Sequence, residues 1–495
     1  MKESLLTMNQ LLSAVKGNAL NDKKECYFEK VATDSREVVE NTLFVPLIGE
    51  VQNGHKYIPQ AIEKKASVIF INQDEYDGNK SYYDQLATEN TEIAFVCVKN
   101  TLHALQDAAE AYVARFPNLI KISITGSSGK TTTKELVVSV MREYFGEENI
   151  AYTKGNFNSE TGLPLSVFQI KGNEKASIFE MGMNRVNEIG EISKVLKSKY
   201  GIITNIGSAH IGILGSQKNI AQEKRKSFDY IPADGAVFVP ADDAFADYCV
   251  ENVRGKVVRY GKNIPCSESG VQFIQDKGLE GTVFSYENQI INFPLIGEYN
   301  YQNALAVIAL ARELNIPANV VKAGLENIKV VSGRMDSKKL TLKSGKSVMY
   351  ISDCYNANPD SMGKVIDFCG RISNAGKKIF LLGDMKELGA DSKSAHEKIA
   401  DKIISSGADF VYLVGEEMFS CYEKLAANNF EGMAFYFADN SDKNFEEIVE
   451  KINENSSEDD LILVKGSHSM ALEKIEPLLQ NSCEKLETDR GGEKC

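Results

Sequence analysis

No run of about 18 apolar residues occurs in this 495-residue sequence, no two cysteines form a C-x-x-C pair, and acidic residues outnumber basic ones. The first absence leaves no candidate for a membrane-spanning helix, and the N-terminus Met1-Lys2-Glu3-Ser4 has no long apolar stretch of a secretory leader. The nine cysteines are odd in number and scattered, which suits reduced thiols and neither a disulfide framework nor a zinc site. A net charge of −13 argues against non-specific nucleic-acid binding, so an anionic substrate would need locally placed cations. These absences predict a cytoplasmic protein with no membrane insertion. What is present is ordinary for a globular chain, 43% hydrophobic and 25% charged, and the length predicts about three domains.

The most informative segment is Thr125-Gly126-Ser127-Ser128-Gly129-Lys130-Thr131-Thr132-Thr133. It follows an apolar run, 119–124, that reads as a buried strand. It leads into Lys134–Phe145, where Leu136, Val137, Val140, Met141, Tyr144 and Phe145 recur at helical spacing. Strand, glycine turn and helix is the geometry in which backbone N–H groups and a helix N-terminus surround a phosphate. Lys130 is placed to reach the outer phosphates, and the Thr131 hydroxyl to meet a magnesium ion. The first glycine is Gly126, with Ile124 where the longer phosphate-loop pattern has one, so the match is to the shorter T-G-x-x-G-K-T-T-T form.

Along the chain, Met8–Val15 reads as a helix, 43–48, 66–71 and 93–98 as strands, and Leu102–Phe116 as an amphipathic helix ending at Pro117. From 119 to about 314, strands at 119–124, 176–181, 200–205 and 235–239 alternate with helices, which predicts a parallel sheet. A β-rich stretch follows near 257–296, then a helix over Gln302–Leu314. Past 331 the alternation resumes with strands at 348–352, 378–382, 410–414 and 461–464. The expected fold is α/β in three domains: 1–117, small and N-terminal; 118–330, a central phosphate-loop unit; and 331–480, Rossmann-like. A frayed tail is expected over 481–495.

Ligands of open α/β sheets collect at the carboxyl ends of strands. Glu180 ends one strand, Asn205 and His210 follow another, and magnesium prefers one or two carboxylates with water and phosphate. Taken alone, a strand-end Glu is usually a surface group and a lone His a solvated or core one. Lys224, in Ala221-Gln222-Glu223-Lys224-Arg225-Lys226, reads in isolation as part of a charge run on an exposed helix. Asn300 and Asn303 share a helix face, with capping the plain reading of Asn300. Asp353-Cys354-Tyr355-Asn356-Ala357-Asn358-Pro359 is a polar loop after a strand, and Ser332-Gly333-Arg334 is a lone turn.

Joint occurrence changes the weight of these pieces. T-G-S-S-G-K-T-T-T, Lys154-Gly155-Asn156-Phe157-Asn158, Glu180-Met181-Gly182-Met183-Asn184, Asn205 to His210, D-C-Y-N-A-N-P, L-G-D-M-K-E-L-G and K-G-S occur in the order found in the Mur ligases, which the chain resembles from Asp34 to about Pro477. These are cytoplasmic ATP-dependent amide-forming enzymes of peptidoglycan synthesis. The D-C-Y-N-A-N-P and L-G-D-M-x-E-L-G segments look like the type that joins D-alanyl-D-alanine to UDP-N-acetylmuramoyl-tripeptide.

The resemblance implies that Thr125, Gly126, Ser127, Ser128, Gly129, Lys130, Thr131 and Thr132 hold ATP, with Asn300 and Asn303 toward the adenine, Asp353 toward the ribose and Arg334 toward the transferred phosphate. It implies that Thr131, Glu180, His210 and a carbamylated Lys224 serve two magnesium ions. It also implies that Thr33, Ser35, Arg36, Asn156, Asn158, Tyr355, Asn356 and Asn358 meet substrate, and a monomer is expected. Lys130, Glu180, His210, Lys224 and Arg334 are thus the expected catalytic set. Departures from the usual pattern fall at Asn53, Ser159, Arg185-Val186-Asn187, Lys226 and His468, none of which removes a phosphate or metal group. Rival readings are a sister ligase adding a single amino acid or folate glutamates, and a phosphate-loop switch. A switch usually carries Asp where Glu180 stands.

Overall fold

The computed structural model describes residues 4–21, 26–329, 332–373 and 376–480. The expected boundary at 330/331 and the expected tail from 481 lie outside these residues.

The first sheet contains β1 (Asn18–Ala19), β2 (Lys30–Ala32), β3 (Thr42–Phe44), β4 (Val68–Asn72) and β5 (Ala94–Val98), in the order β1-β5-β4-β3-β2, with β1 alone antiparallel. The strand expected over 43–48 stops at Phe44, two residues before Pro46, which has no N–H to give a ladder. The helix expected from Leu102 runs over Thr101–Val113, capped by the Asn100 side chain on His103 N. Its Leu105, Ala108, Ala109 and Tyr112 are buried in a cluster that continues without a break into Leu163, Val167, Ile189, Ile192 and Leu196 of the next unit. Ion pairs Lys194–Asp107 (3.0 Å) and Lys197–Glu110 (2.6 Å) cross the rim of that contact.

The central sheet is wholly parallel. It comprises β6 (Ile120–Thr125), β7 (Ile150–Tyr152), β8 (Ala176–Glu180), β9 (Tyr200–Ile203), β10 (Ala236–Pro240) and β11 (Lys256–Tyr260), in the order β11-β10-β9-β6-β8-β7. Near-continuous apolar strands buried on both faces are what such a sheet requires. The register sets Ile124 beside Glu180 and Thr125 beside Ile203, so the carboxyl ends of β6, β8 and β9 are level. Within the β-rich stretch, β12 (Val271–Asp276), β13 (Thr282–Tyr286) and β14 (Gln289–Phe293) form a separate antiparallel sheet. The next helix begins at Glu298, four residues ahead of the expectation, and ends at Glu313.

The last sheet, β15 (Asp336–Thr341), β16 (Ser347–Asp353), β17 (Lys378–Gly383), β18 (Phe410–Val414), β19 (Met433–Phe437) and β20 (Leu461–Lys465), has the order β15-β16-β20-β17-β18-β19. Only β15 is antiparallel, and Asp353 pairs with Lys465 across the carboxyl ends of β16 and β20. Ile296 sits in the core of this unit, with Ile211, Leu279 and Tyr299 packed against it, so the central unit is anchored to it at one apolar spot. Among the described residues no helix is long and apolar enough to cross a membrane.

Candidate active site between the central and C-terminal sheets

The phosphate-type loop leaves β6 in the middle of its sheet, and its helix starts at Lys130, not Lys134. Three consecutive threonines carry no apolar period, so the first turn is silent to a hydrophobic pattern. Gly129 caps this helix at φ 78°, and no side chain takes the N–H groups of the first turn. A Cβ on Gly126 would stand 1.8 Å from Thr204 Oγ1, and one on Gly129 would stand 2.7 Å from Asn303 Oδ1. Ser127 N and Ser128 N both donate to Asn205 Oδ1, at 3.1 and 2.9 Å, while Thr204 Oγ1 donates to Ser128 O at 2.5 Å. The turn is therefore braced from β9, which leaves the donors of the helix start to face a ligand. Asn205 and Thr204 had no assigned role in the sequence reading; their signal was a polar pair directly at a strand end.

Two lysine side chains meet one oxygen here. Lys130 Nζ and Lys224 Nζ each donate to Gly126 O at 2.9 Å. Lys224 is 1% exposed and its neighbour Glu223 3%, which corrects the reading of that segment as a solvated charge run. The helix Gln217–Arg225 turns Ile220, Ala221, Glu223 and Lys224 inward. Burial, reinforced by the Lys130 charge, holds the Lys224 amine well below its ordinary pKa, and burial also lowers Lys130. Glu180, at the end of β8, accepts from Thr131 Oγ1 and from Asn158 Nδ2, each at 2.8 Å, and its N–H donates to Thr153 Oγ1 at 3.0 Å.

The C-terminal unit faces these groups. Asn358 Nδ2 donates to Ser128 Oγ at 3.1 Å while Asn358 Oδ1 caps the helix Pro359–Arg371. Asp360 Oδ2 accepts from Ser208 N (2.7 Å) and Ser208 Oγ (2.8 Å), and Glu387 Oε2 lies 2.6 Å from His210 Nδ1. Asp353 is tied on both oxygens, to Met335 N at 3.1 Å and to the buried Lys465 Nζ at 2.5 Å. The Arg334 guanidinium stacks 4.0 Å from the Tyr355 ring centroid, and its buried Nε has no hydrogen-bond partner among the described residues. Tyr355 in turn stacks on His468 at 5.9 Å. Asn300 Nδ2 donates to Ile296 O at 2.9 Å and Asn303 Nδ2 to Asn300 Oδ1 at 3.3 Å, so both are buried inside the helix and neither caps it.

A cleft of about 980 Å³, which Thr125, Gly126 and Lys224 do not line, lies between the two sheets with Ser127 to Thr132, Asn156, Asn158, Glu180, His210, Asn300, Asn303, Arg334, Asp353, Tyr355, Asn356 and Asn358 on its walls. Thr33, Ser35 and Arg36 are not among them. They follow β2 in the first sheet, where Ser35 Oγ donates to Gln60 Oε1 at 2.6 Å and Arg36 pairs with Asp34 at 2.6 Å. That guanidinium holds the Asp34 carboxyl down at about 2. Asn53 Oδ1 accepts from His55 N at 3.0 Å, and His55 Nε2 accepts from Asn72 N at 2.9 Å, a wholly internal arrangement.

The Mur ligase middle domain matches residues 124–311, and the Mur ligase glutamate ligase domain matches residues 333–468. The chain belongs to the Mur ligase family. Within it, a Treponema pallidum protein named UDP-N-acetylmuramoyl-tripeptide–D-alanyl-D-alanine ligase is 38% identical, over 96% of this chain and 99% of that protein. The Bacillus subtilis protein of the same name is 31% identical, over 95% and 97%. A crystal structure of MurF from Acinetobacter baumannii shares the fold at TM-score 0.81 and 24% identity, covering 96% of this chain and 98% of that one.

Proposed function

We propose that this chain joins D-alanyl-D-alanine to UDP-N-acetylmuramoyl-tripeptide in peptidoglycan precursor synthesis, using ATP to activate the tripeptide carboxylate. The full-length similarity to ligases of that name supports the substrates. The observation that carries the chemistry is that Lys130, Glu180 and Arg334, from two units of the fold, line one cleft, with Lys224 buried behind the loop at Gly126 O. A carboxylate is a poor acyl donor because its oxide leaving group is too basic. Transfer of the γ-phosphoryl group to the carboxylate makes an acyl phosphate; the dipeptide amine adds to the carbonyl carbon, and inorganic phosphate departs. Bringing two anions together needs placed cations and in-line geometry more than a nucleophilic side chain. Lys130 and the N–H groups of its helix start hold the outer phosphates. Arg334, preset on Tyr355, meets the transferred group from the other side. Asn303, Asn300 and Asp353 take the base and ribose. Asn156, Asn158, Tyr355, Asn356 and Asn358 border the reacting peptide.

The residues suit magnesium. Glu180, the Thr131 hydroxyl and His210 share the cleft and could hold an ion whose remaining ligands are phosphate oxygens and water. When bound, magnesium neutralises charge on the phosphates. Lys224, buried against Gly126 O, would add an oxygen donor to this site if it carried a carbamate. Thr33, Ser35 and Arg36, which follow β2 and do not line the cleft, suit the uridine-diphosphate end of a long substrate. The same reading takes the enzyme as a monomer acting in the cytoplasm.

A coupled phosphate-release assay with defined UDP-muramoyl tripeptide, ATP and D-alanyl-D-alanine tests this. Release should require both acceptor and dipeptide, and Lys130→Ala should lower turnover on the order of 10³-fold with an unchanged melting profile. Release without the amine would indicate a switch, and preference for a single amino acid would indicate a sister ligase.

A further inference from the structure

The turn Asp384–Gly389, at the carboxyl end of β17, meets the central unit at His210. Besides the 2.6 Å contact of Glu387 Oε2 with His210 Nδ1, Gly212 N donates to Glu387 O at 3.1 Å. Backbones touch here because both sides carry glycine. A Cβ on Gly212 would stand 2.6 Å from Gly389 N, and one on Gly389 would stand 2.9 Å from Gly212 Cα. His210 and Glu387 both hold φ 65°, a left-handed conformation that costs a non-glycine residue roughly 1 kcal/mol or more. Two such residues in opposite units face each other.

The turn is fixed on its own side. Met385 N donates to His396 Nε2 at 3.0 Å and Lys386 N to Ser467 Oγ at 3.0 Å. Asp384 Oδ1 accepts from Met418 N at 2.9 Å while Oδ2 pairs with Lys386 Nζ at 2.8 Å. Glu387 is thus delivered by a rigid support, whereas an incidental ion pair at a surface contributes about 1 kcal/mol at most and would not justify two strained residues.

We propose that Glu387 is a positioning residue for His210: the C-terminal unit supplies the carboxylate that orients the imidazole, so the cation site at Thr131, Glu180 and His210 is complete only when the two units are docked. A histidine ligand commonly gives its second ring nitrogen to a carboxylate, which fixes the tautomer and the ring direction. With Nδ1 turned to Glu387, Nε2 is the atom left for the cleft. The contact is off the N–H axis, and Nδ1 has no aligned hydrogen bond; such bonds often tighten only when ligands bind. This inference rests on the magnesium reading above, and it adds a consequence: cation affinity and domain docking are one equilibrium.

Manganese(II) binding to the full-length protein, followed by electron paramagnetic resonance with ADP present, separates the two. His210→Gln sets the size of a complete loss. Glu387→Gln should weaken manganese binding about 10-fold or more while leaving the melting temperature near that of the wild type. Gly212→Ala, which keeps both side chains but wedges the backbones apart, should produce the same loss. If Glu387→Gln binds manganese as the wild type does while His210→Gln does not, the positioning role is wrong and the metal reading survives. If His210→Gln also binds like the wild type, the metal reading fails and the inference with it.

Discussion

The two junctions of this molecule are built from opposite materials. The N-terminal sheet joins the central one through a shared apolar core, in which Leu105, Ala108 and Ala109 of one helix pack with Leu163, Val167 and Ile192. The central and C-terminal sheets meet through polar points: Asn358 on Ser128, Asp360 on Ser208 and Glu387 on His210, with one apolar anchor at Ile296. Burying a leucine side chain is worth about 1.5–3 kcal/mol, whereas an exchange of protein for water hydrogen bonds nets only about 0.5–1.5 kcal/mol. The first junction is thus welded and the second can open. An enzyme that must admit three substrates and then exclude water needs its hinge where the reacting groups are divided.

The strongest test of the weld is Leu105→Ala. It should cost about 2–5 kcal/mol, with the N-terminal and central units still unfolding in a single urea transition. Two separated transitions in the wild type would show that the shared core does not couple them. A smaller effect is expected at the polar junction. Asp360→Ala should lower global stability by less than Leu105→Ala, because it removes hydrogen bonds worth about 1.5–3 kcal/mol between units, not within a core. Solution scattering should instead show a more extended particle, and an unchanged profile would mean the polar points do not hold the units together.

The smallest effect comes from two buried histidines, one in each outer unit. Burial lowers the pKa of His55 and of His396 from 6.5. The unfolded chain therefore binds protons first as pH falls, so this contribution is fully present above 6.5 and is lost as pH drops through the lowered values. Urea midpoints should fall between about pH 7.5 and about pH 5, and His396→Gln should reduce that fall.

Alternation of apolar runs made the parallel sheets legible, and the glycine turn with Lys130 made one wall of the cleft legible. The edge strands β7 and β19 were not. Ile150–Tyr152 is too short to show a period, and Met433–Phe437 is half-exposed along its length. Lys224 was illegible for a different reason. Nothing local distinguishes it from Arg225 and Lys226, and only the burial of one face of its helix sends that one side chain inward to Gly126 O. Asn205 and Lys465 brace a loop and a carboxylate from neighbouring strands, a relation set by register, which no local pattern encodes.

One absent methyl group has a larger consequence. With only a hydrogen at residue 129, the loop approaches the Asn303 amide to within the 2.7 Å at which an added Cβ would stand from its Oδ1. On the proposed nucleotide reading, a larger residue there would push the amide aside and loosen the hold on one end of the ligand while leaving the other end unchanged.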